Sequence, residues 1–393
     1  MTQPRPMRDF GLEVYFSEWE FSARHHMTAS DLESMTVSDL LAMGTAEQVA
    51  GFHTQWLGYT QTWGAPALRA QIASTYDQME PENILCLAGA GEGLYAVPKV
   101  LLNSGDHAIV PTPNYQGAET VPLSVCEVSG VPLRRDTSAK CGWRLDIDDI
   151  KAAIRPNTKL VSLNFPQNPT GILIPRADLD ELVVLCRSRG IYIFCDEVYR
   201  GVELDMNDQM PQIADVYEKG ISLNVLSKAY GLPALRIGWI ATQDKELLLK
   251  VERYKHYLSI CNSGPSEALA LIALESKHKI LQRNRELLLE NVVLLEALFD
   301  DFPGLFEWHR PMGGCVAFPR YLGPDGAEEF CRKLIEESGV LLLPSSIYKS
   351  DLANTPDDHF RIGFGRDQIF KDGLAAMRQH LEKNYASFSQ GGA

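Results

Sequence analysis

The chain has 393 residues, a hydrophobic content of 45% and a formal net charge of −14 at pH 7. This size suits one large and one smaller hydrophobic core, and the acidic balance excludes a nucleic-acid groove, which needs a basic face. No apolar run approaches the length of a membrane span, so a membrane is not an expected partner. The eight cysteines are scattered without a Cys-x-x-Cys pair, which predicts reduced thiols, no bound metal and a cytoplasmic location.

Between about residue 65 and residue 245, short apolar runs alternate with amphipathic helical patterns. Buried strands are predicted over 107–111, 159–164, 190–195, 221–226 and 236–241, and a helix over 177–189. This succession predicts an α/β fold with a mostly parallel sheet flanked by helices. In such sheets, functional residues gather at the carboxyl ends of the strands.

The pattern changes after about residue 263. Two long helices are predicted over 265–276 and 281–300, and short apolar runs follow at 314–318, 339–343 and 359–364. This part predicts a smaller α+β domain. We therefore expect a large domain of residues 46–265, and a small domain that combines residues 1–45 with residues 266–393.

A lysine follows the apolar run at 221–226 and is the most informative residue of the chain. Ser227 lies beside Lys228, and Arg236 comes eight residues later. A lysine amine can form a Schiff base with a carbonyl cofactor, and a serine with an arginine can hold an anionic group nearby. The pattern indicates pyridoxal 5'-phosphate (PLP).

Other candidate residues also follow apolar runs, and each has an ordinary alternative. Asp196 could keep a pyridine nitrogen protonated, or it could cap a neighbouring helix. Asn168 opens an Asn-Pro-Thr-Gly sequence that is also a good turn. The glycine-rich stretch 89–93 opens a helix whose amides could approach a phosphate, although this signal is weak alone. Tyr115 could stack on a planar cofactor or lie in a loop as a rim aromatic.

In this order and spacing, the motifs resemble those of the class I/II aminotransferases of PLP fold type I. The resemblance covers roughly residues 55–370, and the motifs that carry it are 59–69, Asn168–Gly171, Asp196–Tyr199, Ser227-Lys228 with Arg236, and Arg361. It implies a large PLP-binding domain with a smaller α+β domain. The implied reaction transfers the α-amino group of an amino acid to a 2-oxo acid.

The resemblance also implies a role for each matching residue. Lys228 would form the internal aldimine with PLP and move the Cα proton, and Asp196 would pair with the pyridine nitrogen. The implied ring contacts are Tyr115, Asn168 and Tyr199, and the implied phosphate contacts are Gly89, Ala90, Gly91, Ser227 and Arg236. Arg361, with Asn168, would bind the substrate's α-carboxylate. Tyr59 would reach the phosphate of a neighbouring subunit, which implies a homodimer with shared active sites.

Residues 21–36 and 226–236 further resemble the capreomycidine synthase-like subgroup of this family. That likeness implies an alternative reaction, in which a β-substituted, arginine-like amino acid undergoes elimination and ring closure. In this fold the N-terminal segment covers the substrate, so Asp31 and Glu33 could bind a basic side chain, with discrimination of about 1–3 kcal/mol. The alternative is a solvated helix start, because 28–31 also has a capping pattern. A PLP-sensing DNA-binding regulator is disfavoured, because no basic helix precedes Tyr59.

Overall fold

The computed structural model describes residues 6–389. In chain order, its strands are β1 (His25–His26), β2 (Ile84–Leu87), β3 (His107–Thr112), β4 (Glu127–Pro132), β5 (Arg134–Arg135), β6 (Trp143–Arg144), β7 (Thr158–Asn164), β8 (Tyr192–Asp196), β9 (Gly220–Val225), β10 (Gly238–Ala241), β11 (Phe306–Glu307), β12 (Val316–Ala317), β13 (Arg320–Tyr321), β14 (Val340–Leu341), β15 (Leu343–Pro344) and β16 (Phe360–Gly363). The α-helices are α1 (Gly11–Trp19), α2 (Val37–Leu41), α3 (Ala46–His53), α4 (Pro66–Ala73), α5 (Ala90–Leu101), α6 (Gly117–Leu123), α7 (Ile147–Ala153), α8 (Arg176–Arg189), α9 (Ile213–Val216), α10 (Lys245–Lys255), α11 (Gly264–Glu275), α12 (Lys277–Asp300), α13 (Ala327–Ser338) and α14 (Gln368–Asn384).

Seven strands form the central sheet, in the order β2-β10-β9-β8-β7-β3-β4. Strand β10 runs antiparallel to both of its neighbours, and all other pairs in this sheet are parallel. Every residue of β2, β3, β9 and β10 is buried, as expected for continuous apolar runs covered on both faces. The predicted α/β fold with a mostly parallel sheet is confirmed.

The predicted strand over 236–241 differs from the structure in two respects. It is the antiparallel member of the sheet, and it begins only at Gly238 because Arg236 adopts a left-handed conformation with φ 53°. The predicted helix over 177–189 is observed as α8. It ends at Gly190, whose φ of 67° is the left-handed conformation that favours glycine after a helix.

Helix α12 leads into the C-terminal part, where β12, β16 and β15 form a three-stranded sheet. The apolar run at 339–343 contributes to two short strands, because β14 pairs with β1 whereas β15 pairs with β16. The apolar run at 314–318 contains β12, which pairs with β16.

The N-terminal segment packs against this C-terminal part. Strand β1 pairs in parallel with β14, and the Tyr15 hydroxyl donates a hydrogen bond to the Leu342 carbonyl at 3.2 Å. No helix begins at 28–31; α2 starts later and is capped by Thr36, so the helix-start alternative for this stretch is wrong. The division at 45/46 and 265/266 stays a prediction, and residues 1–5 and 390–393 of the predicted small domain lie outside the described residues.

Within residues 6–389, no helix is both long and apolar enough to cross a membrane. No group of His, Cys, Asp or Glu side chains in that range has an arrangement that could hold a metal ion. All eight cysteines lie in the described part of the chain and are free thiols, seven of them buried.

Candidate active site

A cavity of about 610 Å³ opens at the carboxyl ends of β7, β8 and β9. The side chains at these strand ends are brought together there because the parallel strands end at one edge of the sheet. The predicted site residues that line the cavity are Asp31, Ala90, Gly91, Tyr115, Asn168, Asp196, Tyr199, Ser227, Lys228 and Arg236.

Lys228 reaches this cavity from the turn that follows β9. Its Nζ donates a hydrogen bond to the Ser30 hydroxyl at 2.8 Å, and the Tyr199 hydroxyl donates to the Ser30 carbonyl, also at 2.8 Å. Burial lowers the pKa of the Lys228 ammonium, although the nearby Asp31 carboxylate opposes this effect. A lysine with a lowered pKa holds a neutral, nucleophilic amine closer to neutral pH than an exposed lysine does.

Asp196 is the last residue of β8 and lies beside Asn164, the last residue of β7. Its carboxyl is 8% exposed, and Oδ1 accepts a hydrogen bond from the Val198 amide at 3.2 Å. Burial raises the pKa of Asp196 to about 6, whereas the Val198 amide and the charge of Lys228 lower it. A buried carboxyl of this kind is suited to receive a cationic N–H group, which would supply its missing charge partner.

An anion cradle is formed at the start of α5. Gly89 precedes that helix with φ 96°, and a Cβ at this position would lie 2.3 Å from Nη2 of Arg236. Nη1 of Arg236 donates to the Ser227 hydroxyl at 3.3 Å. The free amides of a helix start, a guanidinium and a hydroxyl therefore face the same space, a donor set that matches a phosphate.

Arg361 lies on β16, is fully buried, and does not itself line the cavity. Its guanidinium donates to the Asn168 side-chain oxygen at 3.2 Å, the Tyr348 hydroxyl at 2.6 Å and the Thr28 carbonyl at 2.7 Å. The Tyr348 hydroxyl in turn donates to Asn168 at 2.9 Å. Within residues 6–389, Arg361 has no carboxylate partner, so its buried positive charge beside the cavity is hydrogen-bonded only to neutral groups.

The N-terminal segment closes the outer part of the cavity with acidic side chains. Glu13, Glu20 and Asp31 line this wall. Asp31 is paired with Arg366, whose Nη2 lies 2.7 Å from Oδ2. Partial burial and the carboxylates of Glu13 and Asp31 raise the pKa of Glu20, whereas the charges of Lys228 and of Arg366, which also lines the cavity, lower it.

Two predicted site residues lie away from this cavity. The Glu33 carboxylate accepts a hydrogen bond from the Asp367 amide at 3.0 Å and is not part of the cavity wall. Tyr59 is 84% exposed on the surface of its own chain and also does not reach the cavity.

The sequence reasoning gave no role to Ser30, Tyr348, Glu13 or Glu20. Ser30 contacts Lys228 and Tyr348 contacts Asn168, at separations of 198 and 180 positions, and no local pattern reveals such contacts. For the glutamates the local signal was weak, because α1 buries only Leu12 and Glu20 lies one residue past the end of the helix.

Comparison with known proteins agrees with this geometry. Residues 29–376 match the aminotransferase class I and II family. The chain is 27% identical to capreomycidine synthase of Streptomyces vinaceus, over 96% of this chain and 95% of that protein. It is 30% identical to the arginine–pyruvate transaminase of Pseudomonas aeruginosa, over 78% and 77% of the two chains. It also superposes on the crystal structure of a PLP-dependent aminotransferase from Streptococcus suis with a TM-score of 0.89 and 31% identity, covering 96% and 99% of the two chains.

The strand-end lysine, the buried carboxyl and the anion cradle are the complementary groups that a pyridine aldehyde with a phosphate arm requires. The chain belongs to the aminotransferase class I and II family. It is a PLP-dependent aminotransferase of fold type I, as the sequence predicted.

Proposed function

We propose that this aminotransferase takes its amino group from an amino acid with a cationic side chain and transfers it to a 2-oxo acid. One observation carries the proposal: Lys228 and Asp196 share their cavity with a wall of three carboxylates, Glu13, Glu20 and Asp31. Lys228 and Asp196 would serve the reaction itself, and the three carboxylates would favour a substrate with a cationic side chain.

Different residues of the cavity would bind the ring and the phosphate of PLP. Asp196 would receive the ring N–H, Tyr115 would stack on the ring, and Asn168 and Tyr199 would contact the ring oxygen. The phosphate would be held by Ser227, Arg236, the amides of Ala90 and Gly91, and the space that Gly89 leaves open. When bound, PLP supplies an electrophilic carbon for the amine and a ring that delocalises the electron pair left by the Cα proton.

Lys228 is the residue that we propose moves the proton. Its amine is buried and its pKa is lowered, so it is neutral in a larger fraction of molecules and can accept the proton from Cα of the substrate. The Ser30 hydroxyl, 2.8 Å from Nζ, keeps the amine oriented towards the cavity. Tyr199 bonds to the same residue and so limits the movement of Ser30.

Arg361 and Asn168 would bind the α-carboxylate of both substrates. The support is the buried guanidinium, whose bonding partners Thr28, Asn168 and Tyr348 are all neutral. A carboxylate provides the charge partner and accepts charge-assisted hydrogen bonds from a planar fork.

The cationic donor is supported by the charges of the outer wall. Asp31 is already paired with Arg366. Glu13 and Glu20 form no ion pair within residues 6–389, and their mutual repulsion with Asp31 contributes to the raised pKa of Glu20. A guanidinium or ammonium group would relieve this repulsion. One relative is named for a reaction of arginine with pyruvate, which agrees with this choice.

We further propose that the enzyme is a cytoplasmic homodimer with shared active sites. Trp56, Leu57 and Tyr59 are each at least 80% exposed. Such a contiguous aromatic and apolar surface is typical of a protein contact, and a second copy of the chain would place this Tyr59 near the partner's cofactor. The free cysteines are consistent with a reducing compartment. Sedimentation of the holoenzyme tests the dimer, and a monomer at micromolar concentration would contradict it.

The donor is tested by comparing arginine with citrulline, its neutral analogue, using pyruvate and 2-oxoglutarate as acceptors. We expect kcat/KM for arginine to exceed that for citrulline by about 10- to 100-fold, corresponding to about 1–3 kcal/mol. In Glu20→Gln this ratio should fall, whereas Glu18→Gln, which changes the same segment outside the cavity wall, should preserve it.

Equal rates with arginine and citrulline would contradict the cationic donor but leave the transaminase assignment intact. The alternative of elimination and ring closure makes a different prediction. It requires loss of a β-substituent from the amino acid without formation of a new amino acid from the acceptor, and amino-acid analysis of the product distinguishes the two reactions.

A further inference from the structure

A second cavity, of about 410 Å³, lies between the β9–β10 region of the sheet and the start of α12. Its wall contains the basic residues Arg200, Lys277, His278 and Arg285 and no aspartate or glutamate. In a chain with a net charge of −14, a cavity lined only by basic ionisable groups is a local reversal of the overall charge.

The start of α12 adds to this positive character. Its first turn begins with Lys277 and His278, contains no acidic residue, and has no side-chain cap. Basic residues at a helix N-terminus oppose the helix dipole, which favours negative groups there. Burial lowers the pKa of Lys277, and no neighbouring carboxylate raises it. Lys277 is partly exposed and His278 is exposed, and an anion in this space would interact favourably with both the helix dipole and these side chains.

Tyr230 adds a neutral hydrogen-bond donor to this wall. The side chain lines the second cavity and is only 7% exposed, and its hydroxyl forms no hydrogen bond with any residue of the described range. The hydroxyl oxygen itself is not among the fully buried unpartnered atoms, so it opens onto the cavity and is free to bond to a group bound there. A ligand oxygen in the cavity would accept this hydrogen bond.

The basic side chains are also available for a ligand. Lys277 and Arg285 form no ion pair within residues 6–389. Arg200 donates hydrogen bonds to the uncharged oxygens of Met210 and Gln209. Its charge also lowers the pKa values of the nearby Glu197, Glu203 and Asp215 carboxyls, which it does not contact as an ion pair. The guanidinium and ammonium groups therefore keep most of their donor capacity.

We propose that the second cavity binds a small metabolite with two or more negative charges, either a phosphate ester or a polycarboxylate. Arg200, Lys277 and Arg285 would contact its anionic oxygens, and the Tyr230 hydroxyl would donate a further hydrogen bond. The proposal does not depend on the donor specificity of the aminotransferase, since the second cavity shares none of its wall residues with the PLP cavity.

Calorimetric titration of the PLP-loaded enzyme with inorganic pyrophosphate and, separately, with citrate tests the proposal. Loaded enzyme is used so that the cofactor's own phosphate cradle is filled. We expect saturable binding of one or both probes, weakened about tenfold in Lys277→Gln, because a charge-assisted contact is lost. Tyr230→Phe should also weaken binding, by less, while keeping the packing of the ring.

Lys279→Gln is the matched control, because Lys279 lies in the same first turn but outside the cavity wall. The affinity of this variant for each probe should stay within about twofold of the parent enzyme's affinity. Binding of pyrophosphate alone would identify a phosphate ligand, and binding of citrate alone a polycarboxylate. The proposal is overturned if neither probe binds, or if Lys279→Gln weakens binding as much as Lys277→Gln.

Discussion

Replacing Asp196 with asparagine is expected to stabilise the PLP-free protein while destroying its reaction with substrate. Burial raises the pKa of Asp196 from 3.8 to about 6. Between these pH values the folded protein keeps a proton that the unfolded chain releases, so stability is lost as the pH rises through this window. Because the two pKa values differ, the free energy of unfolding is lower by about 3 kcal/mol well above pH 6 than it is at low pH.

Asparagine cannot ionise, and its side-chain oxygen can still accept the bond from the Val198 amide. The variant should therefore be more stable than the parent by up to about 3 kcal/mol at pH 8, and by about half of that at pH 5. Urea unfolding of the PLP-free proteins, followed by circular dichroism at both pH values, measures the difference. Product formation by the PLP-loaded variant should fall to a trace, since the ring N–H loses its charged partner.

Glu197→Gln is the matched comparison. This neighbouring glutamate is also buried, with a pKa raised to about 7 by burial, and it bonds to Ile213 and Ser222 outside the PLP cavity. The Glu197→Gln variant should show a similar increase in the free energy of unfolding and keep its enzymatic activity. The reasoning is refuted if Asp196→Asn is no more stable than the parent at pH 8, or if its gain is the same at pH 5.

Three further predictions concern the cofactor and the carboxylate site. Gly89→Ala should raise the Kd for PLP at least about tenfold, because the new methyl would lie 2.3 Å from Nη2 of Arg236 at a positive φ; an unchanged absorbance titration would contradict this. Tyr348→Phe should raise KM for both substrates about three- to tenfold with little change in PLP affinity, because Arg361 loses its 2.6 Å hydrogen bond; an unaltered KM in steady-state kinetics would contradict this. Lys228→Ala should bind PLP without a covalent link and lose turnover, and mass spectrometry after borohydride reduction should detect no adduct; substantial remaining activity would exclude the proposed proton transfer.

Much of the central sheet and the inner cavity could be predicted because the informative residues follow apolar runs. Asp196 ends a strand, and Asn168 and Lys228 each come shortly after one, and the parallel arrangement requires those strand ends to meet. This prediction from the order of apolar runs requires no knowledge of side-chain contacts. It does not give the direction of β10, since an apolar run does not specify whether a strand is parallel or antiparallel to its neighbours.

The outer wall was harder to predict because it depends on contacts between distant parts of the chain. Helix α1 buries only Leu12, so its own pattern carries a weak signal. Asp31 and Glu33 have equal charge and are two residues apart, but only Asp31 faces the cavity, whereas Glu33 bonds to the Asp367 amide. Sequence alone could not distinguish them, since no regular helix or strand fixes their directions.

The pairing of β1 with β14 has a consequence for how the enzyme matures. Ser30 contacts Lys228, and Thr28 contacts Arg361, so during translation the segment around residue 30 must wait for partners that lie 198 and 333 positions later in the chain. A ribosome-bound fragment that ends before residue 340 lacks the strand that anchors β1. The carboxylate site proposed around Arg361 can therefore form only after residue 361 has been made, whereas every residue of this chain proposed to hold PLP lies before residue 240.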